Sequence, residues 1–550
     1  MINEIQNTQI DSSNRQIPLI IIDKFRPLNV EDEILGYIAI STATDNAEDD
    51  EYKSLLANLN LSANSPEARA ENLVGQTESC LQEIAVRLSE LQTNDPEIVI
   101  AVHGFNNKFN SVRAWYEDIH HYINADSTTR KRNLIFIGYR WPSENFIDHL
   151  ILSIVHAFEA LPVLPKNIFF LGLLISLLLL TILLNFYTNF LVFSFGLTTI
   201  ITSLILTLII LRLIVYFRDT YRSAYFGTPD LVELVRQLDR VILQHNPNNK
   251  VKLSFLGHSL GCSVITNAIR ILSDAFDPLS IGTLNTYQTG KRPTNEIGRI
   301  FQLERLVLVA PDIPVESVIP RRSNFLRSAI RRVKEAHVFT NEGDLALRLA
   351  STAANYFSFP AKTRFSGYRL GNLTVKHFKN YKDKLGFSPQ YGIINNLGPC
   401  LNLPFKHLEI RSSNAEHREL EEQPFYPWVA KNPNDVTNRF SYYDCTDYSD
   451  YNDLTSCYKG IVSLAVSKPS LNLLDYGKLF FAYVLNTFNS KVGVDTHGGY
   501  FQGKFGKDLI YRLAFAGFTK LRTSLHPKTL DQVCQEKKIQ VVLSPDNPFS

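Results

Sequence analysis

Cysteine is scarce, with six in 550 residues, too few for a disulfide-stapled scaffold. Cys80, Cys262, Cys400, Cys445, Cys457 and Cys534 form no C-x-x-C pair and H-E-x-x-H is absent, so neither a metal centre nor a cofactor is expected. The single methionine is Met1, which excludes a Met-rich, adaptable binding surface. Charge of one sign is not in excess either: 56 Lys+Arg stand against 54 Asp+Glu, a net +2. No global field therefore draws nucleic acid, and none is expected as a partner. The first 16 residues are polar and lack the apolar core of a secretory signal. No repeat with a period of roughly 20–50 residues is visible.

The sharpest absence is local. Asn167–Leu211, 45 residues, contains no Asp, Glu, Lys, Arg or His. A bilayer span takes about 20 residues, so two spans are expected, Ile168–Leu184 and Phe190–Leu211, broken near Asn185–Asn189. A buried soluble hairpin is the poorer reading, because soluble helices keep a polar stripe. Lys166, Arg212 and Arg218 flank the ends while the turn is uncharged. The positive-inside rule then places both ends, and the domain joined to them, in the cytoplasm. Arg321–Lys334, basic and amphipathic, could lie on anionic headgroups or be an ordinary charged helix face.

What is present is globular: 45% hydrophobic and 20% charged residues. Ile17–Ile22 and Ile34–Ser41 read as strands, and Pro66–Gln92 as an amphipathic helix. Five apolar runs follow: Ile98–Val102, Leu134–Ile137, Val251–Leu256, Leu306–Ala310 and Ala336–Phe339. Helical patterns at Ser111–Ile123, Pro229–Leu243 and Ser263–Leu272 separate several of them. Continuous apolar strands alternating with helices imply an α/β class with a mostly parallel sheet covered on both faces. The expected organisation is a polar tail at 1–16 and one domain over 17–550. A hairpin at 167–211 and an Asn/Tyr/Pro-rich insertion at 381–490 interrupt it, the insertion holding a strand at Phe405–Arg411 and a helix at Leu471–Phe488.

Gly257-His258-Ser259-Leu260-Gly261 lies between a strand and a helix, where a nucleophile elbow would project the Ser259 hydroxyl above the sheet. His103-Gly104-Phe105-Asn106-Asn107 follows the strand Ile98–Val102. A turn there can aim the Phe105 N–H, with that of Leu260, at the oxyanion formed when Ser259 attacks a carbonyl. With these motifs the chain resembles an α/β-hydrolase, and within that superfamily a bacterial esterase-like family of unknown function. That family combines an HG[YF]-N-N turn, W-P-S, G-H-S-x-G, A-P-D and D-x-A-L. Here they stand as His103–Asn107, Trp141-Pro142-Ser143, Gly257–Gly261, Ala310-Pro311-Asp312 and Asp344-Leu345-Ala346-Leu347. The resemblance covers Ile98–Gly371 outside the apolar stretch and resumes at Val494–Ala516.

The superfamily order of Ser, acid, His implies a later carboxylate and histidine. Asp344 is favoured as the acid and Asp312 is the alternative, with Glu342 read as solvated. Of the histidines after Asp344, namely His377, His407, His417, His497 and His526, the resemblance favours His497 as base. His407 is the runner-up. Asp444, Asp447, Asp450 and Asp453 recur every third residue without the EF-hand pattern and read as a solvated face. His120-His121 reads as a helix-surface pair. The expected function is a membrane-anchored serine hydrolase of carboxylic esters, lipid or acyl esters among them, whose partners are its ester substrate and the bilayer; protein partners are unknown. The alternatives are an acyltransferase or thioesterase with the same triad, and a non-catalytic membrane scaffold that keeps the fold.

Overall fold

The computed structural model describes residues 8–10, 16–28, 30, 33–43, 66–90, 95–129, 133–143, 216–246, 250–273, 294–314, 317, 326–351, 369–373, 391–396, 408–412, 439–452, 456–465, 471, 473–488 and 493–544. The apolar runs are strands because both their faces are covered. Ile98, Ile100 and Val102 enter one core cluster while Val99 and Ala101 enter the other, the two-residue alternation of a pleated chain.

The main sheet contains β1 (Ile20–Lys24), β2 (Leu35–Ser41), β3 (Glu97–Val102), β4 (Leu134–Arg140), β5 (Val251–His258), β6 (Phe301–Val309), β7 (Glu335–Thr340), β8 (Phe440–Asp444) and β9 (Gln540–Val542). Their spatial order is β9-β8-β7-β6-β5-β3-β4-β2-β1. All pairings are parallel except β1 with β2 and β8 with β9. Helices α1 (Pro66–Glu90), α2 (Phe109–Ala125), α3 (Thr228–His245), α4 (Leu260–Leu272), α5 (Leu473–Phe488) and α6 (Lys504–Phe515) accompany it. One face carries α1, α3 and α4; the other carries α2 and α6. In α3 the buried Leu231, Leu234, Val235, Leu238 and Ile242 follow three-four spacing. Each such side chain contributes about 1.5–3 kcal/mol by leaving water.

Several expectations need correction. Within the segment 381–490 expected as an insertion, β8 continues the main sheet beside β7. Its sequence, FSYYD, lacks an apolar run, yet every residue is buried. Tyr443 stacks on Phe339 at 4.6 Å, and the Ser441 hydroxyl accepts the Ser544 N–H. The strand expected at Phe405–Arg411 is Leu408–Ser412, paired antiparallel with Tyr391–Asn396 outside the main sheet.

Charged groups read as solvated turn out buried. Asp444, Asp447 and Asp450 are at most 6% exposed; Asp450 accepts from Lys537 Nζ, the Tyr448 hydroxyl and the Phe505 N–H. Asp453 lies outside the described residues. His120 is buried against the Ile34 carbonyl, whereas His121 is exposed. Among the described residues of the basic segment, Arg327–Arg332 is helical, and Arg331 and Arg332 are buried. Arg332 donates to the Thr294 carbonyl, so these guanidinium groups do not face a headgroup layer. The hairpin expected at 167–211 lies outside the described residues. Among those residues no helix is long and apolar enough to cross a membrane.

Candidate active site

The elbow forms because β5 must turn abruptly into α4. Ser259 sits at the turn with φ 54° and ψ −124°, a conformation that costs a non-glycine residue about 1–3 kcal/mol and persists only where neighbours enforce it. They do so through its backbone: the Ser259 N–H donates to the Val309 carbonyl, and its own carbonyl accepts the Cys262 and Asp312 N–H groups. A Cβ at Gly261 would stand 2.4 Å from the His103 carbonyl oxygen, so only glycine lets α4 approach β3 this closely.

Three expected residues, far apart in sequence, are hydrogen-bonded in series. His497 Nε2 lies 2.7 Å from Ser259 Oγ, and His497 Nδ1 lies 2.7 Å from Asp344 Oδ2. The carboxylate can only accept, so Nδ1 carries the proton and Nε2 is left to accept from the serine hydroxyl. Burial disfavours the His497 charge, but the Asp344 carboxylate, its hydrogen bond and nearby Asp495 and Asp312 outweigh it and raise the imidazole above its usual range. Asp344 is itself fully buried and also accepts the Leu347 N–H. Residues 198–383 match a family model described as Alpha/beta hydrolase of unknown function (DUF900). The fold and the resemblance agree with it. The matched range holds Ser259, Leu260, Asp312 and Asp344 but not Phe105 or His497. No curated protein and no solved structure matches the chain.

The alternative acid, Asp312, has a different side-chain partner. It is ion-paired with Arg369 at 2.9 Å and supplies the N–H that holds the Ser259 carbonyl. Glu342 is not solvated: it is fully buried and accepts the Leu471 N–H. The runner-up base, His407, lies outside the described residues.

The 103–107 turn stands against Ser259: a Cβ at Gly104 would be 2.7 Å from Ser259 Cβ. Leu260, first in α4, presents one of the N–H groups a helix start leaves unsatisfied. Under the turn, His103 stacks on Trp141 at 5.2 Å and nearly coplanar. Its Nδ1 donates to the Gly104 carbonyl while Nε2 accepts the Trp141 N–H, a pattern only the neutral ring satisfies. Burial, with Arg140 nearby, pushes His103 down to about 3. His258 donates Nε2–H to the His497 carbonyl at 3.2 Å, and burial with the neighbouring His497 pushes it down to about 3 as well.

Sequence reasoning missed the residues that dock the histidine loop. Asp495 accepts the His497 and Gly498 N–H groups. Asn341 donates to the Thr496 carbonyl, and the Thr496 hydroxyl accepts the Leu345 N–H. An Asx-turn signal, Asp two residues before the histidine, was present to be read. The Asn341 role carries no local signal, because its partner is 155 residues away.

Proposed function

We propose that the protein is a membrane-anchored serine hydrolase that cleaves carboxylic esters, lipid or acyl esters among them. One observation carries the reading: the series Ser259, His497, Asp344, with both contacts at 2.7 Å, at the strained elbow of an α/β-hydrolase sheet. Ser259 Oγ attacks the ester carbonyl as its proton passes to His497 Nε2; Asp344 holds the Nδ1–H tautomer and balances the imidazolium. The oxyanion is received by the N–H groups of Phe105 and Leu260. His497 then returns its proton to the leaving alkoxide, the alcohol departs, and water attacks the acyl-enzyme by the same route in reverse.

Anchoring rests on the uncharged stretch Asn167–Leu211. Two helical spans there would satisfy their backbone hydrogen bonds within each segment, as lipid requires. With Lys166, Arg212 and Arg218 at the ends, both ends and the hydrolase domain face the cytoplasm, and substrate reaches the site from the adjacent leaflet.

The test is labelling of membranes from expressing cells with a fluorophosphonate, which reacts with an activated serine. Wild type labels, and Ser259→Ala lowers labelling and ester hydrolysis by about 10⁴-fold or more. Equal labelling of the two would remove the reading. Recovery of the full-length chain in the soluble fraction without detergent would remove the anchor.

A further inference from the structure

The W-P-S turn and the segment that leaves the uncharged stretch have no part in the reaction as written. They meet at Asp219. This residue sits in the helical segment 216–222, is 0% exposed, and lies within ten residues of Leu211 in sequence. Its Oδ2 accepts two donors, the Asn106 N–H at 3.1 Å and the Ser143 hydroxyl at 3.2 Å. Ser143 Oγ in turn accepts the Asn107 N–H at 3.2 Å. The other oxygen, Oδ1, faces Arg218 at 3.3 Å and Arg222 at 3.9 Å; burial raises the Asp219 carboxyl above its usual range, and these cations offset that only in part.

With its backbone held by this tether, Asn107 turns its side chain back on the turn. Nδ2 donates to the Gly104 carbonyl at 3.1 Å and to the Phe105 carbonyl at 3.0 Å. His103 Nδ1 donates to the same Gly104 carbonyl at 2.7 Å. A trans peptide is planar, so the Gly104 C=O and the Phe105 N–H point in opposite directions from one rigid unit. Fixing that carbonyl from below aims the N–H. The same segment reaches the turn a second way: the Tyr216 ring stands edge-on to Phe105 at 5.8 Å. The Tyr216 hydroxyl accepts from Arg369, the ion-pair partner of Asp312.

We propose that Asp219, acting through Ser143 and Asn107, is a positioning residue that holds the Phe105 N–H in register with the oxyanion. This role rests on the serine-hydrolase reading. It ties the rate of acyl-enzyme formation to the segment that emerges from the uncharged stretch. The carboxylate touches no reacting atom, so its loss acts on kcat and not on substrate affinity.

Detergent-solubilised full-length protein is titrated for reactive Ser259 with a fluorophosphonate. The phosphonylation rate constant per reactive site, kcat and KM on a soluble ester, and Tm are then compared among wild type, Asp219→Ala, Asp219→Asn and Ser143→Ala. Asp219→Ala lowers the per-site rate and kcat by about 10–100-fold with KM within about twofold, less than the roughly 100- to 1,000-fold of losing an oxyanion donor outright, because the donor is displaced and not removed. Asp219→Asn, which keeps an acceptor oxygen, recovers part of the rate, and Ser143→Ala falls by about tenfold. A wild-type per-site rate in Asp219→Ala, with only Tm or the reactive fraction reduced, would overturn the positioning role alone. If Asp219→Ala does not fold, wild-type per-site rates in both Asp219→Asn and Ser143→Ala overturn it. Wild-type protein that does not label would overturn the serine-hydrolase reading and this role together.

Discussion

Replacing Gly104 with alanine tests the oxyanion turn while leaving the serine, histidine and aspartate in place. The added Cβ would stand 2.7 Å from Ser259 Cβ and 3.1 Å from His258 Nδ1. Carbon atoms rest at about 3.5–4.0 Å, so the turn or the elbow must move by roughly 1 Å. Both are held by hydrogen bonds, and whichever moves, the Phe105 N–H and Ser259 Oγ lose their register. A displacement of about 1 Å costs on the order of 100-fold in rate, and complete loss of one oxyanion donor costs about 100- to 1,000-fold. Overpacking of this kind also costs about 1–3 kcal/mol of stability. Gly104→Ala should therefore lower kcat by about 100-fold or more with Tm down by only a few degrees. Gly75→Ala is the control: its Cβ meets nothing within 4 Å, on the exposed face of α1, and it should stabilise by up to about 1 kcal/mol. The assay is ester turnover normalised to reactive serine, with Tm followed by intrinsic fluorescence. Wild-type kcat in folded Gly104→Ala would show that the turn supplies no oxyanion donor, and the mechanism would lose that component.

Two further outcomes follow from the histidines. His497 must be neutral to accept the serine proton, and the Asp344 charge helps raise it above 6.5. The acid limb of kcat/KM should therefore lie above pH 6.5, and Asp344→Asn should move it down while lowering kcat by about 10⁴-fold; an acid limb that stays put would separate Asp344 from the base. His103, held near 3 against 6.5 in the unfolded chain, binds its proton later in the folded state. Stability is thus lost as pH falls from 6.5 toward 3, by about 2 kcal/mol at pH 5. Thermal melts at pH 7 and pH 5 should show a smaller acid-induced drop in His103→Gln than in wild type, and equal drops would refute the assignment.

The parallel sheet was legible because two-sided burial writes continuous apolar runs, as in Ile98–Val102 and Leu306–Ala310. Strand β8 escaped for the converse reason: Ser441, Tyr442 and Tyr443 are buried through stacking and hydrogen bonds rather than through aliphatic surface. Ser259 was legible from its two glycines and flanking elements. Asp344 and His497 needed the superfamily order in addition, and the structure brings both to Ser259. Glu342 and Asp450 have partners far along the chain, Leu471 and Lys537, so local sequence presents a bare carboxylate that looks solvated, whereas Asp444 was misread although its partner Thr446 is two residues away.

The spacing of the site along the chain also governs when it exists during synthesis. Ser259 and His497 are 238 residues apart and Asp344 precedes His497 by 153. A ribosome adds about 5–20 residues per second, so after Asp344 is made the base arrives roughly 8–30 s later. Throughout that interval the nascent chain carries an elbow and an acid but no base. Strand β8, which pairs with β7 ahead of Asp344, is made in the same interval. The nascent chain thus lacks a complete site until His497 is made, and the edge strand β9 is added only after that.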